Sequence, residues 1–249
     1  MNHVHDVYFT YANAAVWGTS ALVYLARGAT APSARVEAIG GTALLGKGIM
    51  NWTYWMTDPV VRALAARDVS ANALTWTSLV LGVGAGCALA AGWFGLACLL
   101  ATCSTIGDIL DGQVARHTHT GSPRGELLDA AVDRYTELVF IAGMVVYFHD
   151  SIALVILALV ALQACVMISY ASAKAEALQV AAPRGLMRRH ERAAYLLVGV
   201  GLTPLFGDQI AAATSLPRET LAIAALALVG IVGNISAVQR FVRVGKALR

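Results

Sequence analysis

Charged residues are scarce in this sequence. Asp, Glu, Lys and Arg make up 13% of its 249 residues, whereas about a quarter of a typical soluble domain is charged. The net charge is only +3 and no dense basic patch occurs, so a nucleic-acid partner is not expected. The few charges are bunched between long apolar stretches, and 58% of the residues are hydrophobic. This composition predicts an integral membrane protein.

Cysteine motifs and an obvious targeting segment are also lacking. The four cysteines all lie in apolar stretches and none forms a CxxC pair, which argues against a zinc site or a disulfide framework. We expect buried, inert thiols. The first residues have no basic stretch, so no cleavable signal peptide is expected.

Charge-free runs predict a core of six membrane-spanning helices. No charged residue lies between Asp68 and Asp108, which leaves room for two spans of about 20 residues each, with a turn near Gly92 to Gly95. The other four spans are predicted around residues 138–149, 151–172, 193–206 and 221–238. These runs lack the alternation that a membrane barrel needs, so the predicted fold is all-α.

The N-terminal segment, residues 1–66, is expected to precede a six-helix membrane domain at residues 67–249. Residues 7–25 carry no charge, which predicts either an extra hydrophobic span or an interfacial helix. The stretch around Trp52 and Arg62 mixes aromatic and basic side chains. That mixture predicts a helix lying at the membrane surface before the first core span.

Lysine and arginine are distributed unevenly between the two sets of loops. One set holds most of them, from Arg62 to Arg249, whereas the other holds Arg218 and little else. The rich side is expected to be cytoplasmic, because positive charge is retained inside. We therefore predict a multi-pass protein of the cell membrane with its functional site facing the cytoplasm.

Four aspartates lie at the predicted cytoplasmic ends of the second and third spans: Asp108, Asp111, Asp129 and Asp133. The members of each pair are three or four residues apart, so each pair shares one helix face. A short loop joins the two helices, which should bring the pairs together. Four carboxylates in a low-dielectric site repel each other unless they are protonated or held by cations.

An all-oxygen donor set favours hard divalent ions such as Mg²⁺, Mn²⁺ or Ca²⁺. A two-metal site would neutralise the aspartates and clamp the oxygens of a phosphate. The plainer alternative is that the carboxylates are solvated helix-end charges paired with neighbouring arginines.

The spacing of this stretch resembles the complete signature of the CDP-alcohol phosphotransferase family. The signature reads Asp108-x-x-Asp111-Gly112-x-x-Ala115-Arg116, then eight residues, then Gly125-x-x-x-Asp129-x-x-x-Asp133. The resemblance covers roughly residues 67–249. It implies a six-helix membrane core, a homodimer, and an enzyme that transfers a phosphatidyl group from CDP-diacylglycerol to a small alcohol with release of CMP.

The resemblance also implies roles for individual residues. The four aspartates would bind two Mg²⁺ or Mn²⁺ ions, and Asp133 would also be the general base. Contacts to CDP-diacylglycerol are implied for Asn72, Thr75, Asp108, Gly112, Ala115, Arg116 and Ser122. Ala71 replaces a proline of the family pattern beside Asn72 and Thr75, and for these two residues helix capping is an equal alternative.

The acceptor alcohol is indicated by two basic stretches, residues 169–176 and 185–192. They resemble the bacterial phosphatidylinositol phosphate synthase branch of the family, whose acceptor is inositol 1-phosphate. The expected acceptor-binding residues are Lys174, Arg189 and Arg192, since arginine suits phosphate oxygens. That branch prefers arginine at Lys174 and a basic residue at Ser172. Glycerol 3-phosphate, serine, inositol and other polyols therefore stay open, as does a purely electrostatic anchor to anionic lipid.

Two further hypotheses belong to other classes of protein. Intramembrane aspartates also mark the ion paths of cation- or proton-coupled transporters, whose carboxylates lie near the middle of the bilayer. A metal-binding scaffold without activity is the other hypothesis. The clustering of the aspartates at one side, followed by an arginine, favours the enzyme.

Overall fold

All regular secondary structure in the described residues is helical. The computed structural model describes residues 4–28, 36–37, 46–181 and 185–248. Within them, the helices are α1 (Val4–Ala26), α2 (Gly46–Ala65), α3 (Ala71–Ala90), α4 (Phe94–His117), α5 (Pro123–Tyr147), α6 (Ile152–Ala177), α7 (Arg189–Thr214) and α8 (Thr220–Ala247). Residues 1–3, 29–35 and 38–45 of the predicted N-terminal segment lie outside the described residues.

Local sequence signals fix where the core helices begin. Ser70 caps α3, because its side chain accepts a hydrogen bond from the Ala73 amide at 3.3 Å. Ser122 caps α5 in the same way from the Gly125 amide at 3.1 Å, with a proline in the first turn. The turn between α3 and α4 contains Gly92 at φ 79°, a left-handed conformation that glycine adopts without a steric penalty. Both serines lie at the end of the molecule that carries the aspartates.

Within the described part of the chain, five helices are long and apolar enough to cross a membrane: α3, α4, α6, α7 and α8. They match five of the six predicted spans, and the prediction of an all-α membrane fold is confirmed. The remaining span was predicted to start around Leu138, whereas α5 already begins at Pro123. Charged residues occur throughout the first half of α5, so a search for charge-free runs misses it. Asp133 is buried, whereas Arg124 and Glu126 are exposed.

The core helices pack in two groups, α3 to α5 and α6 to α8, which are joined by contacts of α4 with α7 and of α5 with α6. The first helix of the core, α3, lies against both α4 and α5, while α6 and α7 both pack on α8. A continuous apolar core connects them, and its fully buried side chains include Leu89, Ile141, Met144, Val200 and Leu226. Cys98 and Cys165 are buried as expected, but Cys87 and Cys103 are exposed on the outer helix surfaces.

Small residues let α3 and α5 approach each other closely. A Cβ atom on Gly143 would collide with the backbone carbonyl of Gly86, and one on Gly86 would lie 2.5 Å from the carbonyl oxygen of Val139. Such glycine contacts are common between helices in membranes, where close packing replaces the hydrophobic driving force. The crossing sets the distance between the two helices that flank the site.

The N-terminal helices pack against α4. Helix α2 covers the stretch around Trp52 and Arg62, and its Val61 forms a small cluster with Leu110 and Val114 of α4. Its position at the membrane surface stays a prediction. The side chain of Gln113 also donates a hydrogen bond to the Thr57 hydroxyl at 2.8 Å. Helix α1 lies along α4 and contacts α7 as well.

The glycine crossing yields a first prediction. Gly143→Ala should destabilise the protein by about 1–3 kcal/mol, because the added methyl group overpacks the α3–α5 crossing. Gly84→Ala is the matched control, since its Cβ would meet only the flexible end of Leu100 at 3.4 Å. Thermal unfolding in detergent measures both, and an unfolding temperature of Gly143→Ala equal to that of Gly84→Ala would contradict the close packing.

Candidate functional site

Three of the four predicted metal ligands converge at one end of the helix bundle. Asp108 and Asp111 on α4 and Asp129 on α5 each offer a carboxylate oxygen, and these oxygens lie within 4.8 Å of one another. Asp111 is buried and its Oδ2 accepts a hydrogen bond from the Thr75 hydroxyl of α3 at 2.6 Å. Three helices therefore position this carboxylate cluster.

Asp133 lies one turn further along α5 and is paired with Arg189 at the start of α7. The same guanidinium contacts Asp108, with 3.4 Å between Nη1 and Oδ2. Arg189 thus bridges the two helices that carry the aspartates. One guanidinium offsets only one of four carboxylates, and unbalanced charge in a partly buried site is unfavourable.

The carboxylate cluster fits a divalent metal. Asp108, Asp111 and Asp129 present only oxygen donors, which is the ligand set that Mg²⁺ and Mn²⁺ prefer. A hydrogen bond such as the one from Thr75 to Asp111 is typical of the outer contacts that orient metal-binding carboxylates. Cations in this position would also remove the repulsion between the side chains.

A cavity of about 430 Å³ adjoins the cluster, between the start of α3, the end of α4 and the start of α5. Asp111 and Asp129 form part of its wall, and its volume is in the range of small-molecule sites. Of the residues expected to contact the donor, all but Asp108 line it, namely Asn72, Thr75, Gly112, Ala115, Arg116 and Ser122. The sequence motifs therefore surround one space.

Asn72 and Thr75 do not make the contacts expected of residues that cap a helix. The N-cap of α3 is Ser70, whereas the Thr75 hydroxyl is directed to Asp111. Asn72 is exposed toward the cavity, and its Oδ1 would lie 3.6 Å from a Cβ atom on Gly125. Neither residue caps the helix.

A second, smaller cavity of about 80 Å³ lies between α4, α5 and α7. Its polar lining comes from Ser104, Thr105, Thr136, Glu137 and Arg189. Arg189 contacts Asp108 and Asp133 as well, so this cavity and the carboxylates share one guanidinium. The site therefore contains two cavities: Asp111 and Asp129 line the larger one, and Arg189 connects the aspartates to the smaller one.

The three expected acceptor-binding residues occupy different environments. Arg189 lies in the site. Arg192 is fully buried, and its Nε and Nη2 donate to the two carboxylate oxygens of Glu137 at 2.9 and 3.2 Å. Lys174 is exposed on α6 and lines neither of the two cavities. The Glu137–Arg192 pair links α5 to α7 directly below the carboxylates.

Sequence reasoning missed Arg240 of α8. This arginine is 7% exposed, and it donates to the Ser172 hydroxyl at 2.8 Å and to the Met187 carbonyl at 3.2 Å. Both partners are neutral, and the Nε of Arg240 has no hydrogen-bond partner among the described residues. Ser172 is the position where the family branch prefers a basic residue, so Arg240 places a positive charge there from another helix.

Comparison with known proteins identifies related sequences. Residues 68–235 match the family model of CDP-alcohol phosphatidyltransferases. The phosphatidylinositol phosphate synthase of Corynebacterium glutamicum is 36% identical over 153 residues, covering 59% of this chain and 70% of that protein. The phosphatidylinositol phosphate synthase of Cutibacterium acnes is 30% identical over 201 residues, covering 76% and 92%.

Crystal structures of the Mycobacterium tuberculosis phosphatidylinositol phosphate synthase share the fold. The form with CDP-diacylglycerol bound has a TM-score of 0.65 at 24% identity and covers 76% of this chain and 92% of that one. The form in complex with manganese and citrate has a TM-score of 0.66 at 24% identity, covering 76% and 88%.

The buried Glu137–Arg192 pair gives a second prediction. Arg192→Met should lower stability by about 2–3 kcal/mol, because it leaves the mostly buried Glu137 carboxylate with only the long 4.0 Å contact to Arg134. The double variant Arg192→Met/Glu137→Leu should recover most of that loss. Arg62→Met is the control, since the Arg62–Asp58 pair is well exposed and such pairs contribute little. Unfolding temperatures in detergent report all three, and an equal loss in the single and double variants would contradict the pairing.

Proposed function

This chain belongs to the CDP-alcohol phosphatidyltransferase family, and on that premise we propose that it transfers a phosphatidyl group from CDP-diacylglycerol to inositol 1-phosphate with release of CMP. It is a metal-dependent membrane enzyme of phospholipid synthesis. The observation that carries the proposal is the carboxylate cluster beside the larger cavity. The relatives named above are phosphatidylinositol phosphate synthases, which supports inositol 1-phosphate among the possible acceptors.

The larger cavity suits the cytidine diphosphate part of the donor. Gly112 and Ala115 are small residues on one face of α4, and they leave room for a flat nucleotide against the backbone. Arg116, Asn72 and Ser122 add one cationic and two polar groups around that space. A position at the end of the helix bundle lets the acyl chains of the donor stay in lipid while its head group is in water.

The carboxylates are proposed to hold the metal. Asp108, Asp111 and Asp129 supply converging oxygens, and Asp133 is the fourth expected ligand. When bound, Mg²⁺ or Mn²⁺ would withdraw charge from the donor diphosphate and stabilise the leaving CMP. Thr75 keeps the Asp111 carboxylate oriented through its hydrogen bond of 2.6 Å.

Asp133 is proposed as the general base. An alcohol hydroxyl is a poor nucleophile, and a carboxylate within reach can take its proton. The hydroxyl oxygen would then attack the phosphorus attached to diacylglycerol, and the bond from that phosphorus to the CMP oxygen would break. Arg189 contacts both Asp133 and Asp108 and so fixes the base relative to the metal-binding carboxylates.

The acceptor phosphate is proposed to bind near Arg189 and Arg240. Arg189 lines the smaller cavity and contacts the carboxylates, so it can pair with a phosphate next to the reacting hydroxyl. Arg240 donates a hydrogen bond to the carbonyl of Met187, two residues before Arg189. Its charge has no carboxylate partner among the described residues. Arg192 supports this region through Glu137. Lys174 stays a prediction without a structural contact to support it.

We also propose that the site faces the cytoplasm and that the enzyme is a homodimer. The first proposal is supported by the concentration of Lys and Arg on the side of the aspartates, which the positive-inside rule assigns to the cytoplasm. The second is supported by the family resemblance. Both stay predictions for this chain.

The location of the carboxylates favours transfer over transport. Asp108 and Asp111 lie nine and six residues before the end of α4, and Asp129 lies six residues after the start of α5. Transporter carboxylates are expected at interrupted helices near the bilayer midplane, whereas these lie on continuous helices, in the halves that meet at the α4–α5 loop.

The assay that tests this function is CMP release by purified protein in lipid. With CDP-diacylglycerol and Mg²⁺ or Mn²⁺, release should occur with inositol 1-phosphate and be much slower with glycerol 3-phosphate, serine or free inositol. Asp133→Asn should reduce turnover by about 10²-fold or more because the general base is lost. Asp150→Asn is the matched control, since that side chain is 93% exposed at the opposite end.

Two outcomes of the assay would contradict the proposal. Release with another acceptor but not with inositol 1-phosphate would keep the reaction class and replace the substrate. Near-normal turnover of Asp133→Asn would exclude this residue as the base.

A fourth prediction concerns Arg240. Arg240→Met should raise the KM for inositol 1-phosphate by about tenfold, the effect of losing one charge-assisted contact of roughly 1.5 kcal/mol. The KM for CDP-diacylglycerol should change little. Arg243→Met, one turn further along α8 on an exposed position, is the comparison variant. Equal effects on the two Michaelis constants would place Arg240 outside the acceptor site.

A further inference from the structure

Helix α1 is joined to α4 by a buried carboxylate. Asp6 is 1% exposed, and its two side-chain oxygens accept hydrogen bonds from the amides of Gly95 at 2.9 Å and Leu96 at 3.0 Å. These amides are in the first turn of α4, where no preceding carbonyl of the helix can accept from them. Trp93, at the N-cap position, makes no side-chain capping bond. Asp6 therefore caps α4 from a different helix.

The contact continues along one face of α1. Asn13 donates to Cys98 Sγ and to Thr102 Oγ1, both at 3.2 Å. Asp6, Thr10 and Asn13 are spaced by four and three residues, which places them on one side of the helix. Their partners advance along α4 in the same order, so the two helices run parallel.

Gly95 makes the close approach possible. A Cβ atom there would collide with the Asp6 carbonyl and lie 2.8 Å from Thr10 Oγ1. Glycine is therefore required at this position by α1 and not by the geometry of α4 itself.

The other end of α1 reaches the level of the carboxylate cluster. Trp17 packs edge-on against Trp52 of α2 with ring centroids 5.2 Å apart, and Tyr24 packs against Trp55 at 5.4 Å. Arg27 lies 5.7 Å above the Trp55 ring. Since α2 is bonded to the last turns of α4 through Thr57 and Gln113, α1 follows α4 over most of its length.

These contacts explain why hydropathy alone does not reveal α1 as a span. The helix is not among those apolar enough to be recognised, because Asp6, Thr10 and Asn13 lower its average. These side chains face α4 rather than lipid. Its 23 residues extend about 34 Å, enough to cross the hydrocarbon core. Within a bilayer, the carboxylate and the uncapped amides each need the partner that the other supplies.

We propose that α1 is an additional membrane-spanning helix that Asp6 holds against α4. Its N-terminal end then lies on the side of the membrane opposite the carboxylate cluster. No Lys or Arg occurs before Arg27, as is typical of a segment that is translocated. Arg27 and the aromatic contacts with α2 lie at the other end. The proposal that α1 spans the membrane does not depend on which alcohol is the acceptor or on how the phosphatidyl group is transferred.

Accessibility of single introduced cysteines tests the topology. His5 is exposed at the start of α1, and His117 is exposed at the end of α4. The variants His5→Cys and His117→Cys are compared with the unmodified protein, which has the same four native cysteines. A membrane-impermeant maleimide is applied to right-side-out and inverted vesicles. The two variants should be labelled in opposite preparations. Labelling of both in the same preparation, or of His5→Cys only after detergent is added, overturns the proposal.

A double-mutant cycle tests the seating by Asp6. Asp6→Ala and Gly95→Ala should each lower the unfolding temperature of the full chain, and the double variant should lose little more than either, because both disrupt one contact. Asp6→Asn, which keeps an acceptor oxygen, should lose less than Asp6→Ala. Asp150→Ala is the control. Additive losses, or an Asp6→Ala variant that matches Asp150→Ala, overturn the role of Asp6.

Discussion

Repulsion between the aspartate side chains is the constraint on which the rest of the site depends. Three carboxylate oxygens from α4 and α5 lie within 4.8 Å of one another, and a fourth carboxylate is one helical turn away. Such an arrangement is stable only if cations and hydrogen-bond donors surround it. Thr75, Arg189 and the proposed metal supply these from different sides. The surrounding helices are positioned accordingly, with α3 contributing the hydroxyl and α7 the guanidinium.

Further charged residues lie next to the aspartates, around the start of α7. Arg192 and Glu137 form a buried pair below the carboxylates, and Arg240 reaches Ser172 and Met187 from α8. Each of these arginines ties the start of α7 to another helix, and Arg189 begins that same helix. Arg189 and Arg240, which are proposed to bind the acceptor phosphate, are therefore held in one framework with the Glu137–Arg192 pair.

Much of this arrangement could be predicted from the sequence. The fixed spacing of the signature identified the aspartates, and residues of that motif line the larger cavity, because positions three or four apart share a helix face whatever the tertiary structure. Other features depend on contacts between distant segments. Arg192 and Arg189 are three residues apart in one basic stretch, and only the tertiary structure, which brings Glu137 of α5 to Arg192, distinguishes the paired residue from the one in the site. The third span was placed only at residues 138–149 because the prediction relied on charge-free runs, and the acidic and basic residues in the first half of α5 interrupt such a run.

The hydrogen bond between Asp6 and Gly95 constrains the order in which the helices can assemble. The two residues are separated by 89 positions, and all of α2 and α3 lies between them. During synthesis, α1 emerges first and its carboxylate has no partner until the beginning of α4 has been made. The contacts of α1 can therefore be completed only late in biogenesis, by a segment that also carries Asp108 and Asp111 of the carboxylate cluster. If α1 spans the membrane as proposed, quality control that recognises an unpaired acidic group there would in effect monitor whether α4 has been made.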